Sequence, residues 1–246
     1  MAIVVFGIHF GQFKKDFQFL KEHRSQIILL LLAAVIISIN WFIYIWAIAN
    51  NHVMDTSLGY YINPLLNVVL GVILFKEVLT TPKKLSVIIA TIGIALLTYQ
   101  VRSLPLISMI LAITFGLYGA VKKKVLIHPF TSIAVEAWLL TPLALLYTTV
   151  FDTTSWSYFG TDWYTALLLM GCGLTTAVPF ILFSYGAQLL PLNLLGFLQY
   201  LAPTIIFLLS IFYFQESFDI PNIIAFSCIW IALTIYTMFN QPKQTK

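Results

Sequence analysis

Residues 104–151 read LPLISMILAITFGLYGAVKKKVLIHPFTSIAVEAWLLTPLALLYTTVF, two long apolar runs with three consecutive lysines, Lys122 to Lys124, between them. A helix needs about 20 mainly apolar residues to cross the ~30 Å hydrocarbon core of a bilayer. Lipid offers no partner for free backbone N–H and C=O groups, and nothing in these runs alternates like a barrel strand, so the spanning segments are helices. The same pattern recurs along the chain. We read eight complete spans, at 26–48, 58–75, 85–101, 104–121, 129–151, 163–187, 190–214 and 220–239, and a ninth apolar stretch, 1–13, too short to cross. The expected fold class is an all-α polytopic membrane protein.

Composition points the same way. Of the 246 residues, 60% are apolar and 9% charged, with a mean hydropathy of +0.94, whereas a soluble domain carries about 25% charged residues. The net charge of +4 sits in short clusters between apolar runs, which read as topology signals and not as a nucleic-acid footprint. Eight spans bring Lys14, Lys15, Lys21, Arg24, Lys76, Lys83, Lys84, Lys122, Lys123, Lys124, Lys243 and Lys246 to one side and leave Arg102 opposite, with Asp55, Asp152, Glu216 and Asp219. By the positive-inside rule the basic side is cytoplasmic, so the expected location is a bacterial inner membrane with the tail, 240–246, in the cytoplasm.

Residues 1–13 then become the inner half of a span whose outer half is missing, and the chain reads as clipped at its N-terminus. Their apolar stretch precedes Lys14 and Lys15, the reverse of signal-peptide order. Cys172 and Cys228 lie inside apolar runs without CxxC or Cys/His spacing, and are expected to be small packing residues.

A long-period repeat is also present. An offset of 139 residues superposes Tyr61 on Tyr200, Pro64 on Pro203, Leu70 on Leu209, Phe75 on Phe214 and Glu77 on Glu216. The charge pattern puts the two copies in opposite orientations, as an odd number of helices per repeat would, and inverted repeats are typical of alternating-access transporters. We expect two inverted repeats, 1–101 as the remainder of the first and 104–239 as the second, with about one and a half helices of a ten-helix plan lying before Met1.

The stretch Asn40-Trp41, Trp46-Ala47, Asn50-Asn51-His52, Ser57-Leu58-Gly59-Tyr60 and Ile62-Asn63-Pro64-Leu65 resembles the RarD branch of the EamA, drug/metabolite transporter superfamily. Tyr118-Gly119 before Lys123-Lys124, Glu136 with Trp138-Leu139-Leu140 and Pro142, and Leu195-Gly196-Phe197 with Gln199-Tyr200 and Pro203 continue the likeness over essentially the whole chain. The resemblance implies a ten-helix inner-membrane permease built from two inverted five-helix EamA repeats. Its members begin with about one and a half more helices than this chain.

Among polar residues inside the spans, Glu136 comes first. It lies ~10 Å into its helix at about 1.5 Å per residue from Pro129, where an ionised carboxylate is costly unless hydrated or paired. That property suits a proton-coupled carrier; a structural carboxyl bonded to a neighbouring helix is the other reading. His52, of the residue type suited to proton exchange, lies with Asn50, Asn51 and Asp55 at an outer helix end, and reads as a second proton-coupling candidate or as part of a polar turn. Asn63 and Asn67 share a helix face where Pro64 frees a backbone carbonyl; they either contact solute or bind helix to helix. Gln199 and Tyr200 form the matching pair in the second half. Asn40 joins the cavity set, and Trp41, Trp46, Tyr60, Tyr61 and Trp138 are candidate aromatic walls. Trp156 and Trp163 suit an interfacial belt, and Glu77 and Glu216 read as capping or packing residues.

The expected function is secondary transport of a small organic metabolite or drug by alternating access, coupled to protons. The chain has no P-loop and no HExxH, and His9, His23, His52 and His128 lack metal-ligand spacing, so neither a cofactor nor a metal is expected and an enzyme reading fares poorly. A non-transporting accessory or scaffold protein is the alternative. The implied partners are a small-molecule solute and the lipid bilayer, with no nucleic acid; a homodimer is the one further partner that an incomplete repeat allows.

Overall fold

The structure is a computed structural model, described here for residues 10–101, 106–150, 163–213 and 220–239. Its helices in chain order are α1 (Phe10–Glu22), α2 (Arg24–Ala49), α3 (Val53–Phe75), α4 (Thr81–Val101), α5 (Leu106–Lys124), α6 (Pro129–Val150), α7 (Trp163–Leu189), α8 (Leu192–Gln199), α9 (Leu201–Phe212) and α10 (Ile220–Met238). Among the described residues six helices, α2 to α7, contain segments long and apolar enough to cross a membrane; the last two expected spans contain the shorter apolar segments Leu192–Ile206 and Ile223–Met238. Residues 1–9, Arg102, Asp152, Trp156, Glu216, Asp219, Lys243 and Lys246, all used in the sequence reading, lie outside the described residues.

Three helix starts recur at an offset of 139 residues. Arg24, Val53 and Thr81 open α2, α3 and α4, and 139 residues later Trp163, Leu192 and Ile220 open α7, α8 and α10.

The helices pack as two compact units, residues 1–36 with 121–189 and residues 37–120 with 190–246. In the second unit α3 runs antiparallel to α8. Glycine makes this approach close: a Cβ on Gly196 would lie 2.6 Å from the Pro64 carbonyl oxygen and 2.9 Å from Asn67 Cβ. Likewise α4 and α10 run antiparallel, with a Cβ on Gly93 meeting the Ala225 carbonyl at 2.8 Å. Small residues allow such contacts, which drive helix association where lipid is as apolar as leucine. Val68, Ala90, Ile94, Phe197, Tyr200, Ile229, Ala232 and Tyr236 form the core between these pairs.

One expected span is discontinuous. Leu192–Gln199 and Leu201–Phe212 form two helices that meet at Tyr200, which keeps helical angles (φ −65, ψ −13) but whose N–H bonds the Phe197 carbonyl at 3.2 Å. Pro203 accounts for the break, because it brings no N–H to the Gln199 carbonyl and its ring crowds that oxygen. Pro64, Pro142 and Pro179, by contrast, lie inside unbroken helices.

Glu77 is the cap that the sequence suggested, but for another helix. Lys76 takes a left-handed backbone (φ 54) that ends α3, and the Glu77 carboxylate accepts the Leu192 and Asn193 N–H groups at 2.6 and 2.9 Å. A carboxylate there pairs two free N–H groups and meets the positive end of α8. Gly71 makes room, since a Cβ on it would lie 2.5 Å from Glu77 Oε2.

The first unit corrects two further expectations. The charge cluster Lys14, Lys15, Lys21 and Arg24 lies between apolar runs and reads as a basic loop; in the structure its three lysines belong to α1, which buries Phe13, Asp16 and Leu20 and leaves Lys14, Lys15 and Lys21 exposed. Asp16 is held by Thr131 Oγ1 and by Gln12 Nε2, the latter at 3.0 Å. A helical spacing of buried residues explains why charge density there does not mean a loop. Lys122 was counted among the solvated topology charges, yet it is 0% exposed.

Gly196→Leu is expected to lower stability by about 1–3 kcal/mol or more, as overpacking does. Gly173→Ala, with nothing within 4 Å of its added Cβ, is expected to be neutral or stabilising by up to about 1 kcal/mol. Unfolding midpoints in detergent measure both, and an unchanged midpoint for Gly196→Leu would contradict the close crossing.

Candidate functional site

The break at Tyr200 sits against α3, and buried amides fill the junction. Asn63 and Asn67, one turn apart on α3, both donate through Nδ2 to Gln199 Oε1, the Asn67 bond at 3.2 Å. The Tyr200 hydroxyl donates to the Tyr61 carbonyl at 3.3 Å, joining residues that match at the 139-residue offset. Three amide atoms in this cluster, Asn63 Oδ1, Asn67 Oδ1 and Gln199 Nε2, are buried without a hydrogen-bond partner. Buried polar groups are nearly always paired, so these three atoms set the amide cluster apart from the rest of the unit.

Asn63 also lines a small cleft in the same unit. Asn40 and Tyr44 of α2, Thr56, Gly59 and Tyr60 of α3, and Leu111 and Phe115 of α5 complete its walls. Its volume is about 30 Å³, and one water needs roughly 10–15 Å³ on this measure. Asn40 is fixed by two donated bonds, to the Leu111 carbonyl at 2.9 Å and to Thr114 Oγ1 at 2.7 Å. Close contact of α3 with α5 shapes the cleft: Ser108 Oγ donates to the Asp55 carbonyl at 2.6 Å, and a Cβ on Gly59 would lie 3.2 Å from the Ser108 carbonyl.

Glu136 lies in the other unit, paired with Lys122. Lys122 Nζ donates to Glu136 Oε1 at 2.6 Å and to Ser132 Oγ, and the Ser132 hydroxyl donates to Glu136 Oε1 at 3.0 Å. Lys122, Ser132 and Glu136 are all buried. Each charge loses several kcal/mol of hydration there, and only their mutual attraction with added hydrogen bonds offsets it.

The structure thus gathers Asn40 and Asn63 at the cleft, and Asn63, Tyr61, Gln199 and Tyr200 at the helix break. It does not bring the other candidates there. Trp41 is 42% exposed, and Trp46 is exposed and stacked on His52 at 5.8 Å between centroids. Asn50 donates to the Trp46 carbonyl at 2.8 Å, and Asn51 takes a left-handed backbone (φ 64), so both close the end of α2. His52 Nδ1 lies 3.0 Å from Asp55 Oδ2 on the surface. Trp138 packs edge-on to Phe13 at 5.3 Å in the first unit.

Sequence reasoning missed Lys122, Tyr44, Thr56 and Phe115. A signal for Lys122 existed. The α5–α6 turn is short, and Lys122 lies two residues before its helix end while Glu136 lies seven residues into the next. That leaves about 7.5 Å along the axis at 1.5 Å per residue, which a lysine side chain nearly covers. No signal of comparable quality marks Thr56 or Phe115.

Comparison with known proteins gives consistent results. The sequence pattern of the EamA-like transporter family matches residues 1–99. The uncharacterized transporter YojE of Bacillus subtilis is 40% identical over 245 residues, covering 99% of this chain and 81% of its own. Protein RarD of Escherichia coli K12 is 38% identical over 226 residues, covering 90% of this chain and 76% of its own. A crystal structure at 18% identity superposes with a TM-score of 0.66, covering 85% of this chain and 76% of its own, a likeness of fold alone.

Lys122→Met is expected to destabilise the chain by about 3–5 kcal/mol, because it strands the Glu136 carboxylate. The double variant Lys122→Met/Glu136→Met should recover most of that loss. Detergent unfolding of both variants measures the coupling, and additive losses would show that the two side chains do not act as a pair.

Proposed function

The chain belongs to the RarD branch of the EamA-like transporter family, and from that premise we propose that it is a secondary carrier. It moves a small organic solute across a bacterial inner membrane by alternating access, driven by protons, with its C-terminus in the cytoplasm. The observation that carries this reading is the helix break at Tyr200, set against α3 with unpaired buried amides around it. Carriers of this architecture bind solute where a helix is interrupted at the junction of inverted repeats; here the interruption is one turn residue, Tyr200, that keeps right-handed helical angles (φ −65, ψ −13).

The inverted-repeat reading has its own support. Three helix starts recur at an offset of 139 residues, and the equivalent residues Tyr61 and Tyr200 touch across an antiparallel crossing. An axis relating the two copies would pass close to that contact. In this plan residues 1–101 are what the chain holds of the first repeat and 104–239 form the second, eight spans in all. The one-sided basic residues orient them.

Glu136 is the proton-coupling residue in this reading, with Lys122 as its counter-charge. Protonating Glu136 removes the charge that holds a buried ammonium, so the proton is linked to a rearrangement at the α5–α6 corner. His52, paired with Asp55 at an exposed turn, is the second candidate relay.

The test starts by comparing small molecules inside and outside cells that express the chain or Glu136→Gln at equal membrane levels. The solute whose distribution shifts is then loaded into liposomes carrying purified protein under an imposed pH gradient. Glu136→Gln is expected to lose gradient-driven accumulation while inserting normally. Retained accumulation in that variant would sink the coupling assignment, and no flux by the native chain would sink the carrier reading.

A further inference from the structure

Thr131 and Ser132 stand side by side at the start of α6, and each ties down a buried carboxylate. Thr131 donates to Asp16 Oδ2, and Ser132 donates to Glu136 Oε1 at 3.0 Å. Ser132 has a second task, because its Oγ accepts from Lys122 Nζ, which also reaches Glu136 Oε1 at 2.6 Å. One serine thus joins a carboxylate to an ammonium, and all three side chains are buried. Its hydroxyl departs from the habit of other serines and threonines in these helices. Ser86 donates to the Pro82 carbonyl at 3.0 Å, Thr141 to the Ala137 carbonyl at 2.8 Å and Ser227 to the Ile223 carbonyl at 2.8 Å, each one turn back. A helical hydroxyl with no better acceptor takes that position. The equivalent acceptor for Ser132 is the His128 carbonyl, which the Ser132 N–H already meets at 3.0 Å, and a carbonyl oxygen has two lone pairs.

We propose that Ser132 is the positioning residue of the proton site, with a hydroxyl that moves between two acceptors as Glu136 changes charge. With Glu136 ionised, the hydroxyl donates to Oε1, where a charge-assisted bond is roughly twice as strong as one to a neutral carbonyl. A proton that binds the carboxylate removes that advantage, and the Ser132 side chain turns about its Cα–Cβ bond to the His128 carbonyl. The new O–H on Glu136 is the one covalent bond that forms, and none breaks. The turn takes Oγ away from Lys122 as the counter-charge is neutralised. The ammonium, two residues before the end of α5, loses both of these acceptors and is drawn toward water at that helix end. The assignment deepens the carrier reading above and rests on it, since it supplies the step by which a proton loosens the α5–α6 corner. Other ionisable groups on the elements around the start of α6 are Asp16 on α1, Arg24 opening α2, Lys123 and Lys124 ending α5, His128 before α6 and Tyr185 on α7. Asp16 is engaged by Thr131 and Gln12, and His128 by the Tyr185 hydroxyl at 2.7 Å; Lys14, Lys15, Lys21 and Glu22 of α1 are exposed.

Infrared titration of the purified full chain in detergent needs no solute. The carboxyl band that grows as pH falls and is missing in Glu136→Gln belongs to protonated Glu136. Ser132→Ala is expected to move the midpoint of that band up by about one pH unit or more, because the ionised form alone loses a hydrogen bond. The band position should match the native chain, since the hydroxyl has already left the protonated carboxyl. Ser132→Thr, whose hydroxyl can take either position, should restore the native midpoint. Ser132→Cys, similar in shape but a weak donor, should behave as Ser132→Ala and replaces it if the alanine variant does not fold. An unchanged midpoint in Ser132→Ala, a threonine variant that titrates like alanine, or no Glu136 band in the native chain at any pH where it stays folded would overturn the assignment. A band displaced by Ser132→Ala would show the hydroxyl still bonded to the neutral carboxyl, and would overturn the turn toward His128. Gradient-driven flux in liposomes that needs Glu136, beside an unchanged midpoint in Ser132→Ala, loses only the serine assignment; the expected midpoint shift in a chain that moves nothing keeps the proton switch and loses the carrier reading.

Discussion

The carbonyl of Pro64 and the α-carbon of Gly196 approach so closely that a methyl group could not stand between them. Much of the second unit depends on this crossing. It brings Gln199 within reach of Asn63 and Asn67, sets the Tyr200 hydroxyl on the Tyr61 carbonyl, and delivers the start of α8 to Glu77. Tyr236 then reaches the Asn193 side chain at 2.5 Å. In lipid the hydrophobic effect does not drive helices together, so close van der Waals contact and interhelical hydrogen bonds carry the association. The glycines at 71, 93 and 196 are therefore as structural as any large core residue.

The two units bury polarity in different ways. Residues 37–120 and 190–246 use neutral amides and hydroxyls, which can exchange partners at modest cost. Residues 121–189 with the N-terminal segment bury a full ion pair, Lys122 with Glu136, whose partners are costly to separate. In the carrier reading both behaviours have a use. Solute must be bound and released through bonds of moderate strength, while a coupled proton must change a balance large enough to shift a conformation.

Helix α8 shows how such a change can be transmitted. It has eight residues, is tied at its start by a charge-assisted cap, and ends at an amide cluster beside a break. Tyr200, at its far end, is buried in the core and keeps helical angles (φ −65, ψ −13) before α9 begins. In the carrier reading that point is the hinge, and the amides beside it sense the solute.

Hydropathy and charge order make the helices and their approximate ends legible in the amino-acid sequence. Spanning helices must satisfy their own backbone, so a run of apolar residues has one solution, and Val53 and Leu192 opening equivalent helices follows from the same offset that aligns Pro64 with Pro203. The amides Asn40, Asn63 and Gln199 are legible as polar exceptions in apolar runs. Which of them meet is not, because Asn50 and Asn51 are polar in the same way yet only close a helix end. Lys122 misleads for a related reason: a lysine at the end of a span looks like a topology signal unless the partner helix places a carboxylate beside it. The break at Tyr200 is half visible, since Pro203 marks it but Pro64, Pro142 and Pro179 do not break their helices. Sequence alone determined which segments form apolar helices, because a long apolar run satisfies its backbone in one way. The choice of which polar side chains pair, stay unpaired or face a cleft belonged to the tertiary structure, because it depends on neighbours more than a hundred residues away.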